Sequence, residues 1–106
     1  MHTDVYFTEN GHILTAHLGC ELDHHAARAV RERIDERLLG VRPRVLVLDL
    51  GEVEFMDSSG LGLILGRVEK AATIGAEVEL CGLSPSMMKL LRLSGIERVR
   101  HLSIVK

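Results

Sequence analysis

Near the start of the chain, two short segments carry the spacing of apolar side chains that is typical of β-strands. They comprise residues 5–7 and residues 13–18, and the second places three apolar residues on one face. Asn10-Gly11 stands between them, and this dipeptide is a strong signal for a tight hairpin turn. The chain is therefore predicted to begin with a β-hairpin.

The spacing then changes, and apolar residues recur every three or four positions over residues 24–39. This period predicts an amphipathic helix, with Asp23 as its N-cap and Gly40 as its C-terminal stop. Its buried stripe would consist of Ala27, Val30, Ile34 and Leu38. Oppositely charged pairs four residues apart are expected on the polar side, Arg28 with Glu32 and Arg31 with Asp35.

A continuous apolar run, residues 45–48, follows this helix. Such a run is typical of a central parallel strand that is covered on both faces. A second helix is predicted over residues 59–74, and the next strand lies around residues 78–80.

A serine followed by proline, Ser84-Pro85, gives an N-cap and a first helical residue, so a third helix should start there and end at Gly95. Residues 96–102 are predicted to supply a last short strand. Strands that alternate with helices imply right-handed crossovers. The fold class is therefore α/β, a mixed, mostly parallel sheet with an N-terminal hairpin and helices packed against it.

The second helix contains two glycines, Gly62 and Gly66, on the outer side of its predicted buried stripe. That stripe would consist of Leu61, Ile64, Leu65, Val68, Ala71 and Ala72. Leu63 falls roughly opposite the stripe and is expected to be exposed. Each helical glycine costs about 1 kcal/mol relative to alanine. The pattern leaves two interpretations open: a bare docking surface for a partner, or an ordinary exposed leucine.

Composition limits the functional classes. The chain has 106 residues, 46% of them apolar and 26% charged, which fits one globular domain over residues 1–106. Aromatic residues make up 3% and the net charge is -2, so no direct nucleic-acid binding is expected. Cys20 and Cys81 lack metal or disulfide spacing and are interpreted as reduced thiols. Without a signal-peptide pattern or a membrane-spanning run, a cytoplasmic location is expected.

The candidate chemistry lies in residues 55–62, Phe-Met-Asp-Ser-Ser-Gly-Leu-Gly, where an extended segment turns into a helix. Free N–H groups and a partial positive charge at a helix start can accommodate a phosphate. Ser58 is the candidate acceptor and Ser59 its rival, while the alternative role for Ser58 is a plain N-cap. Asp57 is interpreted as a cap or as a residue that presents the hydroxyl.

Residues 19–25, Gly-Cys-Glu-Leu-Asp-His-His, and residues 55–62 resemble signature segments of the anti-sigma-factor antagonists, the STAS-domain family. The similarity continues through Ile64-Leu65-Gly66-Arg67, Ile74-Gly75-Ala76, Leu83-Ser84-Pro85 and Leu93-Ser94-Gly95-Ile96. It covers about residues 5 to 102 in order. Within the family, the chain is most similar to the antagonists that act in sporulation.

The resemblance implies a partner switch. The unmodified protein would bind an anti-sigma factor that is also a serine kinase, which frees the sigma factor. Phosphorylation at Ser58 would then abolish binding, and a serine phosphatase would reset the protein. No cofactor is expected. The residues assigned to partner binding are Glu21, Asp23, Asp57, Ser59, Gly60, Gly62 and Leu63, with Asp23 and, less strongly, Glu21 meeting a cation on the partner.

Other functional classes are weaker. An enzyme is not expected, since Met56 replaces the leading glycine of a G-x-S-x-G elbow around Ser58 and no P-loop occurs. Adjacent His24 and His25 would point about 100° apart on a helix, which does not suit a shared metal ion. The remaining alternatives are a general-stress or stress-complex STAS protein, or a STAS domain excised from a transporter.

Overall fold

The computed structural model describes residues 5–19 and 21–105. Five strands, three α-helices and one 3₁₀ turn follow one another along these residues. In chain order they are β1 (Val5–Asn10), β2 (Ile13–Leu18), α1 (His24–Val41), β3 (Val45–Asp49), α2 (Ser58–Ala72), β4 (Glu77–Cys81), α3 (Pro85–Ser94), the 3₁₀ turn (Ile96–Arg98) and β5 (Leu102–Ile104).

The strands form one five-stranded sheet in the order β1-β2-β3-β4-β5. Strand β1 runs antiparallel to β2, and every later neighbour is parallel. The predicted α/β class, N-terminal hairpin and mostly parallel sheet are therefore confirmed. Because β2 and β3 are parallel, the chain that leaves each of them emerges at the same edge of the sheet.

One face of the sheet is buried beneath the helices. Helices α1 and α2 pack against each other, and α3 adds Met87 and Leu91 to the same apolar cluster. Fully buried sheet residues in this core are Leu14, Ala16, Leu18, Leu46, Leu48, Val78 and Leu80. Their alternation along each strand follows from the two-residue period of a pleated sheet.

Residues 45–48 lie in β3, which is a central strand parallel to both of its neighbours, as predicted. The prediction that both faces of this strand are covered is wrong, because the opposite face of the sheet is not covered in the same way. Leu46 and Leu48 are buried, but Val45 and Val47 are only half-buried on the other face. A run of four apolar residues does not reveal that the helices occupy one side only. The side chains of β1 and β2 on this open face are mixed in polarity.

A cross-strand row of polar side chains lies on that open face. His17 Nδ1 is 2.8 Å from Asp49 Oδ2, and His17 Nε2 is 2.9 Å from Thr8 Oγ1. The Tyr6 ring stacks on the imidazole with the ring centres 4.5 Å apart. Strand register explains the row, because Tyr6 pairs with His17 and His17 pairs with Asp49.

Two predicted boundaries are wrong. Helix α1 continues through Gly40 to Val41, and Arg42 adopts the left-handed C-cap conformation with φ 53° and donates its N–H to Leu38. Residues 96–102 do not form one strand, since the 3₁₀ turn occupies Ile96–Arg98. By contrast, Ser84 caps α3 and Gly95 ends it with φ 78°, as predicted.

Candidate partner-binding site at the start of helix α2

The loops that lead into α1 and α2 lie side by side. Leu22 and Met56 form an isolated parallel β-bridge. The Leu22 N–H donates to the Phe55 carbonyl at 3.0 Å, and the Asp57 N–H approaches the Leu22 carbonyl at 3.5 Å. Both helix starts therefore lie at one edge of the molecule. This agrees with their place in the sequence, because each helix follows a strand, β2 or β3, of the parallel pair.

Asp57, rather than Ser58, is the N-cap of α2. Its Oδ1 accepts a hydrogen bond of 2.7 Å from the Ser59 N–H, and its carbonyl accepts one of 3.0 Å from Gly60. Ser58 is the first helical residue, and its side chain is exposed. The interpretation of Ser58 as the cap is therefore wrong. The carboxylate at the cap suits the positive end of the helix dipole.

Asp23 caps α1, as predicted. Its Oδ1 accepts a 2.9 Å hydrogen bond from the Ala26 N–H, and the residue is half-buried. Glu21 is exposed beside it, and so are His24 and His25. The capping bond uses one carboxylate oxygen. The structure thus brings together the two caps, Glu21 and the exposed Ser58 at one edge.

The buried face of α2 is rotated from the predicted stripe, which corrects the placement of Leu63. Leu63 is only 4% exposed, whereas Leu65 is 40% exposed. The residues that α2 buries are Gly60, Leu63, Ile64, Arg67, Val68 and Ala71. Leu61 is half-buried and Ala72 is exposed, although the sequence pattern predicts both in the core. Gly62 is exposed, as expected of a residue on the outer surface.

Gly60 belongs to the packing beneath the site and not to the outer surface. A Cβ at this position would overlap the Met56 side chain and would lie 3.3 Å from Leu22 Cβ. The absence of a side chain lets α2 approach the bridged loops closely. A Cβ on Gly62 or Gly66, in contrast, would meet nothing within 4 Å. Internal packing therefore explains Gly60 but neither of the other two glycines.

Phe55 is a candidate contact residue that the sequence pattern did not single out. Its side chain is 51% exposed, two residues before the Asp57 cap. Exposed aromatic side chains often provide much of the binding energy at interfaces. The available signal was its position: one of only two phenylalanines in the chain stands directly at the head of the signature segment.

A groove of about 490 Å³ opens between α1 and α2 next to this site. It is lined by His24, Ala27, Arg28, Arg31, Ser59, Gly62 and Leu63. Leu63 contributes to the groove despite its burial. The rival acceptor Ser59 is half-buried and lies in the groove wall, whereas Ser58 does not line it.

An ion pair joins α1 to α2 farther along the two helices. Arg67 Nε lies 3.1 Å from Asp35 Oδ1, and the arginine side chain is 6% exposed. The contact is an ion pair and not a hydrogen bond, since Arg67 Nε, Arg67 Nη1 and Asp35 Oδ1 have no hydrogen-bond partner among the described residues. Burial lowers the pKa of Arg67, the nearby charge of Asp35 raises it, and the charge of Arg31 lowers it further. Asp35 thus pairs with Arg67 and not with Arg31, while the predicted Arg28–Glu32 pair is present at 3.9 Å.

The described part of the chain contains a free thiol but neither a metal-binding cluster nor a membrane-spanning helix. Within residues 5–19 and 21–105, no cluster of three or more His, Cys, Asp or Glu side chains could hold a metal ion. No helix among them is long and apolar enough to cross a bilayer. Cys81 is a free thiol whose pKa is raised by burial and by Asp49 and Glu79, and Cys20 lies outside the described residues.

The fold and this edge define a small α/β domain in which an exposed serine begins a helix directly after an acidic cap. Residues 5–103 match the family model of the STAS domain. The chain belongs to the STAS-domain family.

Relatives of known function are similar to this chain over most of its length. It is 39% identical to the anti-sigma F factor antagonist of Paenibacillus polymyxa over 87 residues, which is 82% of this chain and 74% of that protein. It is 31% identical to the anti-sigma-B factor antagonist of Listeria monocytogenes over 88 residues, 81% of this chain and 75% of that protein.

Solved structures agree with the sequence matches. The unphosphorylated form of the anti-sigma factor antagonist SpoIIAA superposes with a TM-score of 0.78 and 25% identity, covering 99% of this chain and 89% of that one. The phosphorylated form of SpoIIAA, a Bacillus cell fate determinant, gives a TM-score of 0.72 and 26% identity, covering 97% and 92%.

Proposed function

We propose that the protein is an anti-anti-sigma factor controlled by phosphorylation at Ser58. In its unmodified form it binds an anti-sigma factor that is also a serine kinase, and the sigma factor is released to activate transcription. The observation that carries the proposal is the exposed Ser58 hydroxyl at the first residue of α2, directly after the Asp57 cap. A kinase can reach such a hydroxyl without unfolding the domain.

Phosphorylation is proposed to block the interface and to leave the fold intact. A phosphoserine adds about -1.5 to -2 charge, which the N-terminus of α2 tolerates. SpoIIAA supports this view, since both of its forms resemble this chain in fold. Desolvating the new dianion at a packed interface can cost about 4 kcal/mol, which turns nanomolar binding into micromolar.

The partner-binding surface is proposed to comprise the two capping loops and the outer side of α2. Glu21 and Asp23 would face a cation on the partner, and Asp57 and Ser59 flank the modified residue. Gly62 leaves the outer side of α2 bare, so that the partner can approach its backbone. Leu63 and Gly60 support this surface from below, since both are buried.

The biological setting is proposed to be sporulation, with a serine phosphatase that restores the unmodified protein in the cytoplasm. The relative from Paenibacillus polymyxa, an anti-sigma F factor antagonist, favours this setting. A general-stress role is the second candidate, and the Listeria monocytogenes sigma-B relative supports it at lower identity. We expect no enzymatic activity of the protein itself, because the Ser58 hydroxyl is a substrate for the partner kinase.

Mixing the purified protein with a candidate anti-sigma factor and ATP tests the proposal. Mass spectrometry should locate one phosphate on Ser58, and the modified protein should dissociate. Ser58→Ala should bind and stay bound, whereas Ser59→Ala, which removes the rival acceptor, should still be phosphorylated on Ser58. Anti-sigma F and anti-sigma B factors tested in parallel separate the two settings. Equal affinity of modified and unmodified protein for the partner contradicts the proposal.

A further inference from the structure

The groove between α1 and α2 carries a one-sided charge. Three of its lining residues are basic types, His24, Arg28 and Arg31, and none is acidic. Over the whole sequence acids outnumber Lys and Arg by 15 to 13. A concave surface lined by one sign of charge concentrates the field and attracts the opposite sign. The groove is therefore suited to an anionic group.

The chain itself does little to neutralise Arg28 and Arg31. Arg28 meets Glu32 at 3.9 Å, and both side chains are largely exposed, so this pair contributes little. Asp35, four residues after Arg31 on α1, pairs at 3.1 Å with Arg67 and not with Arg31. Arg31 adds a repulsive charge to the buried guanidinium of Arg67. An external anion beside Arg31 would relieve that repulsion.

Acids lie on the two loops that precede the helices of the groove. Glu21, Asp23 and Asp57 lie on the capping loops, whereas the arginines lie along α1. Ser59 lines the groove and adjoins Ser58, so the groove is continuous with the proposed phosphorylation surface. A surface with acids and arginines at separate positions can fix the orientation of a partner and speed its encounter.

We propose that the α1–α2 groove receives an acidic segment of the anti-sigma partner, with carboxylates on Arg28 and Arg31. This inference rests on the proposed function, because it assigns part of the same interface. The groove volume of about 490 Å³ admits several side chains. Gly62 leaves its wall open, since a Cβ at this position would meet nothing within 4 Å. A short acidic segment therefore fits the groove.

Charge reversal tests the proposal. The double variant Arg28→Glu/Arg31→Glu should weaken binding of the unmodified protein to the anti-sigma factor by roughly tenfold or more at low salt. Its affinity should also fall less steeply than that of the wild type as the salt concentration rises, or should increase with salt. The matched control is Arg33→Glu/Lys89→Glu, which changes the net charge equally at two exposed helical positions that do not line the groove.

The outcomes separate this inference from the function on which it rests. If the control and the groove variant bind equally well with the same salt dependence, the groove is not a docking site, although the partner switch stands. If the wild-type protein binds no anti-sigma factor, the proposed function fails and the groove proposal fails with it. Circular dichroism and urea unfolding check that both double variants are folded. If Arg28→Glu/Arg31→Glu does not fold, Arg28→Gln/Arg31→Gln replaces it and should give a smaller loss of affinity.

Discussion

Asp35 and Arg67 join the two helices that flank the candidate site, with 3.1 Å between Oδ1 and Nε. The arginine is buried, and the aspartate side chain is 23% exposed. A buried charge is tolerated when a partner compensates for the lost hydration. The pair therefore fixes which face of α2 turns toward α1, and it places Gly62 on the outside.

Removing the acid from this pair should destabilise the fold more than removing the base. Asp35→Ala leaves the Arg67 guanidinium buried without its partner, and we expect a loss of about 3 kcal/mol in the free energy of unfolding. Arg67→Met keeps the volume and removes the charge, so its loss should be smaller. The double variant should regain much of the stability lost in Asp35→Ala. Urea unfolding measures this coupling, and strictly additive losses would contradict the ion-pair assignment.

Gly60→Ala should destabilise the domain by about 1–3 kcal/mol, because the added methyl group overpacks the contact with Met56. Gly62→Ala is the matched control two residues later in the same helix. Its methyl group meets nothing within 4 Å, so it should raise stability by about 0.5–1 kcal/mol. Thermal unfolding of both variants measures the difference, and equal effects on stability would refute the assigned packing.

Gly62→Ala should separate stability from binding. The extra methyl group projects from the outer side of α2, where we propose that the partner approaches, and the affinity for the anti-sigma factor should fall about tenfold. Gly40→Ala offers a control, since Gly40 is also helical and a Cβ added there would also meet nothing within 4 Å. Both variants should be slightly more stable, but only Gly62→Ala should bind more weakly in a titration. Unchanged affinity would remove Gly62 from the interface.

Asp23→Asn tests the proposed cation on the partner. Asparagine caps a helix about as well as aspartate does, so the Ala26 contact and the stability of the fold should be retained. The loss of one negative charge should weaken partner binding several-fold at low salt and reduce its salt dependence. If affinity and salt dependence both match the wild type, Asp23 serves as a cap alone.

The acid stability of the protein should depend on Asp49. Burial alone raises the pKa of this carboxyl, but hydrogen bonds from the Gly51 N–H and His17, and the charge of His17, lower it overall. A lowered pKa in the folded state stabilises the fold above the ordinary aspartate pKa of about 4, and this contribution is lost as the pH falls through the lower folded value. Asp49→Asn should therefore lose less stability than the wild type between about pH 5 and pH 3.

The effect is expected to be modest, because the Asp49 side chain is 34% exposed and its interactions are screened by solvent. Urea unfolding at several pH values, with wild type and variant side by side, measures the difference. Identical acid limbs would show that the row of Thr8, His17 and Asp49 has no influence on stability.

The sequence was sufficient for most of the fold because its local signals agree with its tertiary packing. Asp23, Ser84 and Gly95 have capping chemistry that acts over a few residues. The rotation of α2 does not follow from such local signals. Arg67 looks like a solvent-facing residue in the sequence, and only its pairing with Asp35 on another helix allows it to be buried.

Non-local causes explain the other differences as well. Val45 and Val47 are as apolar as their buried neighbours, yet no sequence pattern shows that helices cover one face of the sheet only. The predicted stripe of α2 is one position out of phase, so it places Leu63 on the surface. At the candidate site, the choice of Ser58 as the acceptor rests on the family resemblance and stays a prediction. The division of roles between Asp57 as cap and Ser58 as first helical residue required the structure.

The backbone bridge between Leu22 and Met56 limits how this surface can diversify. An insertion in either loop would displace both helix starts together, because the two loops are joined by backbone hydrogen bonds. We therefore expect partner choice to change more readily through side chains at constant loop length. Grafting the residues that flank Glu21 and Phe55 from one member to another should transfer partner choice without rebuilding the scaffold.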